Sequence, residues 1–403
     1  MVSQKSKIKR NVSSKPVILT FINNYLPGYK AGGIPRAMIN TIENLCDYME
    51  FWVVTRDRDL GDTKPYDCIK KNQWQHVGSA NVYYLSPRSS TLKKIRNLLL
   101  TTKHDILYLN SFFDPFTIKV LLIKSFSRTS FKPVIVAPRG EFAWSALRLK
   151  YLKKFVYVQL ARILGLYKHL NWHASTKFEK ADIMKVMNIK NDLIHIASDL
   201  PKKIIQNNTS SISSNQPTSN YEELRLIFLS RIARIKNLDY ALLILSKVKA
   251  KVLFDIYGPQ EDMKYWKECQ KLINQLPVNI KVNYMGIINP NQVVQVFSSY
   301  DLFLFPSGGE SYGHVIAESL TSGTPVLISD KTPWENLRNL NFGWDISLNQ
   351  MDSFVEVIEK YALLSFKDKI EKRKSIKSRI GEYLLDTEVL EANRQLFLKQ
   401  LTL

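Results

Sequence analysis

The chain has 403 residues, of which 45% are hydrophobic and 23% charged. That length exceeds what one core comfortably serves, and the composition excludes a disordered chain, so two globular domains are expected. A net charge of +21 calls for an anionic partner, nucleic acid or a membrane surface, or else a solvated basic surface.

Cys46, Cys68 and Cys269 are far apart and odd in number, which fits a reducing compartment and argues against a disulfide or metal framework. Residues 1–15 read as a basic, mobile tail. The apolar run from Pro16 to Ile22 is short for a signal core and reads as the first strand. No window approaches the roughly 20 apolar residues of a membrane span, so a cytoplasmic location is expected.

The first domain is expected over 16–204. Gly32 and Gly33 follow the first strand and precede a helix from Pro35 to Leu45. Such a loop admits close backbone approach to a phosphate, or is a plain tight turn; it is not the GxGxxG fingerprint. Strands are expected at 50–55, 81–85, 106–109 and 133–137, with a helix at 91–100. Asn110, Arg139 and Glu141 follow strand ends, where parallel sheets open their clefts, which makes them cleft candidates, with ordinary loop charges the alternative for Arg139 and Glu141.

A helix or helix pair is expected from Ala146 to Leu170. Lys150, Lys153, Lys154 and Lys168 fall on one side of it, and Leu152, Phe155, Val156, Ile163 and Leu166 on another. No Asp or Glu occurs between Asp67 and Asp105, nor between Glu141 and Glu179. The basic face, flanked by Trp144, Tyr151, Tyr157 and Tyr167, is either solvated or lies on an anionic membrane. Nucleic acid is not the expected partner, since no recognised binding module accompanies the charge. A strand at 170–174 carries His173, read as a buried structural histidine, and another strand is expected at 193–197.

Residues 205–221, rich in Asn, Ser and Thr, read as a linker or mobile loop. Strand–helix alternation then restarts over 222–386, implying a second parallel-sheet α/β domain. Its strands are expected at 224–230, 252–257, 280–284, 301–306 and 325–329, and a final helix at 387–403. Arg231 and Lys236 follow the first of these strands; a fork and a point charge suit a diphosphate leaving group, on which negative charge builds. Gly258 lies at a further strand end.

The stretch DLFLFPSGGESYGHVIAESLTSGTPVLISD, from Asp301 to Asp330, reads as strand, loop, helix, strand. Its helix is expected from Gly313 to Leu320, with free N–H groups on Ser311, Tyr312 and Gly313 that would attract phosphate. Glu310 and Glu318 lie about 12 Å apart along the axis if the interval is mostly helical. They either flank a bound nucleotide-sugar or are two acids near a helix start.

This stretch resembles the donor-site motif of glycosyltransferase family 4, in which Glu, seven residues and Glu follow a strand, with Tyr312 in the aromatic place. Arg231 and Lys236 resemble that family's Arg–Lys pair, the Gly32–Gly33 loop its donor-facing loop, and Thr332-Pro333-Trp334 with Gly343-Trp344 its following segment. The resemblance implies a GT-B fold, two Rossmann-like domains facing across a cleft, and retaining transfer from a UDP- or GDP-linked sugar without a cofactor or bound metal. It implies that Arg231 and Lys236 neutralise the diphosphate, that Glu310 holds sugar hydroxyls and that Glu318 holds the ribose. It also implies that the last helix crosses back to the first domain.

Many family members carry a histidine where this chain has Asn110-Ser111, so Arg139 or Glu141 is expected to serve the acceptor side instead. The expected process is cell-surface polysaccharide assembly, namely lipopolysaccharide, capsule or exopolysaccharide. The acceptor is a glycan or lipid-linked glycan, at or near the inner membrane face. The alternatives are a nucleotide-sugar epimerase of the same fold and a basic nucleic-acid-binding protein.

Overall fold

The computed structural model describes residues 15–127, 132–148, 151–203, 223–384 and 386–401. Apart from Lys15, the expected tail and linker lie outside them.

The first half builds one sheet from β1 (Val17–Phe21), β2 (Glu50–Arg56), β3 (Trp74–Val77), β4 (Ala80–Leu85), β5 (Ile106–Asn110), β6 (Val134–Ala137), β7 (Asn171–Ala174) and β8 (Ile194–Ile196). Between them lie α1 (Gly33–Leu45), α2 (Leu92–Thr101), α3 (Pro115–Phe126), α4 (Trp144–Leu147), α5 (Tyr151–Ile163) and α6 (Lys177–Met187). The order across the sheet is β3-β4-β2-β1-β5-β6-β7-β8. Every pairing is parallel except β3 with β4. The central strands are continuous apolar runs because helices cover both faces, and separate clusters of buried side chains fill the two sides.

The second half builds a parallel sheet from β9 (Leu224–Leu229), β10 (Val252–Tyr257), β11 (Ile280–Gly286), β12 (Leu302–Phe305), β13 (Val326–Ser329) and β14 (Gly343–Ile346). Its order is β11-β10-β9-β12-β13-β14. The helices are α7 (Leu238–Leu245), α8 (Met263–Ile273), α9 (Val293–Phe297), α10 (His314–Thr321), α11 (Met351–Ala362) and α12 (Phe366–Leu384). α13 (Thr387–Leu398) then lies on the first sheet. Its Phe397 ring meets Tyr108 at 5.2 Å and Phe51 at 6.1 Å, and Asn393 Nδ2 donates to the Ser198 carbonyl at 2.7 Å.

In both sheets the chain reverses its direction of winding beside the first strand, between β1 and β5 and between β9 and β12. Loops diverge at such a point and leave a crevice at the strands' carboxyl ends.

Several expectations change. β3 is an antiparallel edge strand, so the first sheet is not purely parallel. α3 was not expected, although Asp114 caps it by accepting from the Phe116 N–H and Pro115 opens its first turn. The 146–170 segment forms the helix pair rather than one long helix, and its apolar side is largely turned outward: Leu166 is buried, whereas Leu152, Phe155, Val156 and Ile163 are exposed. α5 instead packs through Tyr157, Val158 and Ala161. Among the described residues no helix is long and apolar enough to cross a membrane.

Candidate active site

The crevice of the second sheet is built by the loops after β9 and β12. After β9 the chain makes a 3-10 turn, Arg234–Lys236, ended by Asn237 in a left-handed conformation with φ 51°. Asn237 Nδ2 donates to the Pro306 carbonyl at 2.9 Å, and the Gly308 N–H donates to the Ile235 carbonyl at 2.7 Å. These bonds stitch the two loops together and bring their charged side chains into contact. Lys236 Nζ donates to Glu310 Oε1 at 2.6 Å, and Ser307 Oγ donates to the same oxygen at 2.8 Å. Both members of the ion pair are 12% exposed, so one edge of the pair opens to the crevice.

Arg231 lies on the same rim, paired with Glu261. It faces the first domain's glycine loop: a Cβ on Gly32 would stand 3.1 Å from Arg231 Nε. Gly32 has φ 77°, a conformation that side chains strain to adopt, whereas a Cβ on Gly33 would meet nothing within 4 Å. The structure thus brings Arg231, Lys236, Glu310 and the Gly32–Gly33 loop to one cleft.

The helix after Glu310 starts one residue later than expected. Gly313, with φ 81°, is its N-cap, and α10 begins at His314. Residues 306–313 form a loop, so the axial spacing inferred for Glu310 and Glu318 does not apply, and Ser311 and Tyr312 precede the helix. The Tyr312 carbonyl accepts from Trp334 Nε1 at 2.6 Å, which gives Trp334 an anchoring role beyond packing. Ser311 abuts the first domain: a Cβ on Gly140 would lie 2.8 Å from its Oγ. Gly258 is fixed by backbone crowding, since a Cβ there would stand 1.8 Å from the Ser230 carbonyl oxygen.

Glu318 reaches across the cleft. Its Oε1 lies 3.2 Å from Arg36 Nη1 on α1, with side-chain exposures of 16% and 24%. Burial pushes the Glu318 carboxyl above the ordinary range, and Arg36 pulls it back. Arg36 was missed in the sequence, although it stands in the first turn of the helix that follows the glycine loop.

His314 was also missed. It sits between the domains with Nδ1 3.5 Å from Asn40 Nδ2 and Nε2 3.9 Å from Asp199 Oδ2. Burial lowers its pKa to about 4.

The acceptor-side candidates stand differently from expectation. Asn110 is fully buried and donates to Thr20 Oγ1 at 3.1 Å. Arg139, with φ 58°, spends its guanidinium inside the first domain: Nε donates to Asn110 Oδ1 at 3.1 Å, Nη2 to Tyr108 Oη at 2.8 Å, and Nη1 pairs with Asp199. Neither offers the cleft a free polar group, because Asp199 and the sheet interior satisfy them. Tyr108 Oη in turn donates to His173 Nδ1 at 2.7 Å, and His173 Nε2 donates to the Ala197 carbonyl at 2.7 Å. Those bonds fit a buried, neutral, structural histidine. Glu141 accepts from Ser111 Oγ at 2.6 Å and from the N–H groups of Phe112 and Phe113 at 2.5 and 3.2 Å. It ties the loop after β5 to the loop after β6 and remains partly exposed.

Among the described residues, no cluster of three or more His, Cys, Asp or Glu side chains has the arrangement of a metal site.

Residues 210–380 match the family "Glycosyl transferases group 1". An uncharacterized 41.2 kDa protein in the cps region of Klebsiella pneumoniae is 21% identical over 344 residues, 84% of this chain and 90% of that protein. The GtfA subunit of the UDP-N-acetylglucosamine–peptide N-acetylglucosaminyltransferase of Streptococcus agalactiae is 29% identical over 188 residues, 44% of this chain and 35% of that protein.

Among solved structures, Anabaena HepE in complex with UDP and glucose superposes with a TM-score of 0.68 at 14% identity, covering 96% of this chain and all of that one. WaaG, a glycosyltransferase involved in lipopolysaccharide biosynthesis, gives 0.63 at 15% identity over 94% of this chain and 98% of that one. The two α/β sheets with a crevice between them are a GT-B fold, and the part of the chain that builds the second sheet, over residues 210–380, matches the group 1 glycosyltransferases.

Proposed function

We propose that the protein transfers a sugar from a UDP- or GDP-linked donor to a glycan or lipid-linked glycan, with retention at the anomeric carbon and no bound metal. The reading rests on one observation above the others: Lys236 and Glu310 meet at 2.6 Å at the crevice mouth, beside Arg231 and the opposing glycine loop.

As the bond between the anomeric carbon and the diphosphate breaks, its electron pair passes to the diphosphate. Lys236 and Arg231 are the cations at hand to stabilise that charge, and they act in a partly desolvated site where such contacts are strong. Glu310 exchanges its ion pair for sugar hydroxyls, and Glu318 exchanges Arg36 for the ribose. The likeness to the cps-region protein of Klebsiella pneumoniae and to WaaG supports cell-surface polysaccharide assembly as the setting.

A thermal-shift screen of UDP- and GDP-sugars tests the donor half. One nucleotide class should stabilise the wild type, and Arg231→Ala or Lys236→Ala should erase the shift; an unchanged shift would refute the site. NMR of the product's anomeric configuration then tests retention. Incubation with donor alone separates transfer from epimerisation, since an epimerase would change the sugar without an acceptor.

A further inference from the structure

We infer that the outward face of α5 is a membrane-docking surface, which lies in the headgroup region of an anionic bilayer with the helix parallel to the membrane plane. The inference is independent of the transfer chemistry.

At about 100° per residue, Leu152, Val156, Leu160 and Ile163 fall within an arc of about 80°. They are 75%, 54%, 52% and 79% exposed. The helix holds itself to the first domain by its opposite side, where Val158 and Ala161 are buried and Tyr157 packs against Phe112 at 5.5 Å. A helix normally buries its aliphatic stripe. Here the stripe points at solvent and the packing falls to a valine, an alanine and a tyrosine.

Isolated exposed apolar residues need no explanation, but an aligned stripe of large aliphatics does. The charge around it selects the occupant. Lys153 and Arg162 flank the stripe, Arg148 and Lys168 stand exposed beyond its ends, and no Asp or Glu occurs between Glu141 and Glu179. Trp144, 72% exposed, and the exposed Tyr151 stand at the N-terminal end, the residue types that settle at headgroup level. A basic rim around an aliphatic stripe complements a bilayer with negative headgroups, which attracts each basic residue and accepts the aliphatic side chains. It is poorly suited to a second copy of this chain, whose matching face is equally basic.

The surface also bears on the acceptor side of the cleft. Tyr157 and Tyr167 pack on Phe112, whose N–H donates to Glu141. A lipid-linked acceptor held at the bilayer would meet the enzyme on the side that faces the first domain's loops.

Flotation of the full chain with vesicles tests the inference, using phosphatidylcholine with phosphatidylglycerol against pure phosphatidylcholine. Wild type should float with the anionic vesicles and much less with the neutral ones. Replacing Leu152, Val156, Leu160 and Ile163 together by Ser should lower the bound fraction more than about ten-fold. Lys153→Glu combined with Arg162→Glu should abolish the preference for anionic lipid. Single Leu160→Asp, a milder change at an exposed site, should weaken binding in the same direction. All three variants should keep the wild-type circular dichroism spectrum and unfolding midpoint, because the changed residues face solvent.

Failure of wild type to float would overturn the inference, as would equal flotation of the serine variant. A dimer in light scattering that the serine variant dissociates would reassign the stripe to self-association.

Discussion

Replacing Lys236 by Ala separates what the ion pair does for the fold from what it does for the reaction. In the unliganded protein Glu310 is 12% exposed beside Lys236, and the change leaves it the Ser307 hydroxyl at 2.8 Å as its remaining side-chain donor. Removing one partner of a fully buried pair costs about 3–5 kcal/mol. With an edge of the pair open to water, the expected loss here is about 2–3 kcal/mol.

In the proposed reaction the same substitution removes a cation from the charge that builds on the leaving diphosphate. Losing one such preorganised donor typically costs about a hundred- to a thousand-fold in kcat. The double variant Lys236→Ala with Glu310→Gln tells the two effects apart. It removes the uncompensated carboxylate, so stability should return to within about 1 kcal/mol of wild type, while turnover stays low. Urea unfolding followed by circular dichroism measures the first quantity, and release of the nucleoside diphosphate measures the second. The reasoning would be refuted if turnover recovered together with stability in the double variant. It would also fail if Lys236→Ala kept most of its turnover.

His173 is held neutral, since burial lowers its pKa from 6.5 to about 4. Between those values the unfolded chain binds a proton that the native state refuses, so stability is lost as the pH falls from 6.5 toward 4. Relative to His173→Gln, wild type should lose up to about 3 kcal/mol across that window, and a pH-independent difference in urea midpoints would contradict the burial argument. Gly258→Ala should destabilise by about 3 kcal/mol or more, because the added carbon meets the Ser230 carbonyl, whereas Gly33→Ala should unfold within about 0.5 kcal/mol of wild type. If Gly33→Ala nevertheless weakens nucleotide binding in the thermal-shift screen, the loop faces the donor; normal binding would count against that placement. Glu141→Ala strips the acceptor from three donors and should cost about 2–3 kcal/mol, read as a lowered Tm; an unchanged Tm would mean water replaces the carboxylate without loss.

The sequence by itself determined the architecture and which loops of the second domain form its crevice. Mainly apolar runs marked β9, β10, β12 and β13, because strands buried on both faces must be nearly continuously apolar. Arg231, Lys236 and Glu310 were legible because each follows a strand end, and in a doubly wound sheet the strands on either side of the reversal are forced to share one crevice. Short segments were harder to read. β3 pairs only at an edge and carries no buried alternation, and α3 hides its signal in a local cap, Asp114, followed by Pro115.

Tertiary structure decided the rest, since a pattern along the chain does not say what faces it. Arg139 looked like a cleft residue until Asp199, far along the sequence, supplied the partner that buries it. Arg36 and His314 became part of the site only when the two domains were set against each other. The aliphatic stripe of α5 has the periodicity of a core-facing helix, and only the packing of Val158 and Ala161 on the opposite side shows that it points to solvent.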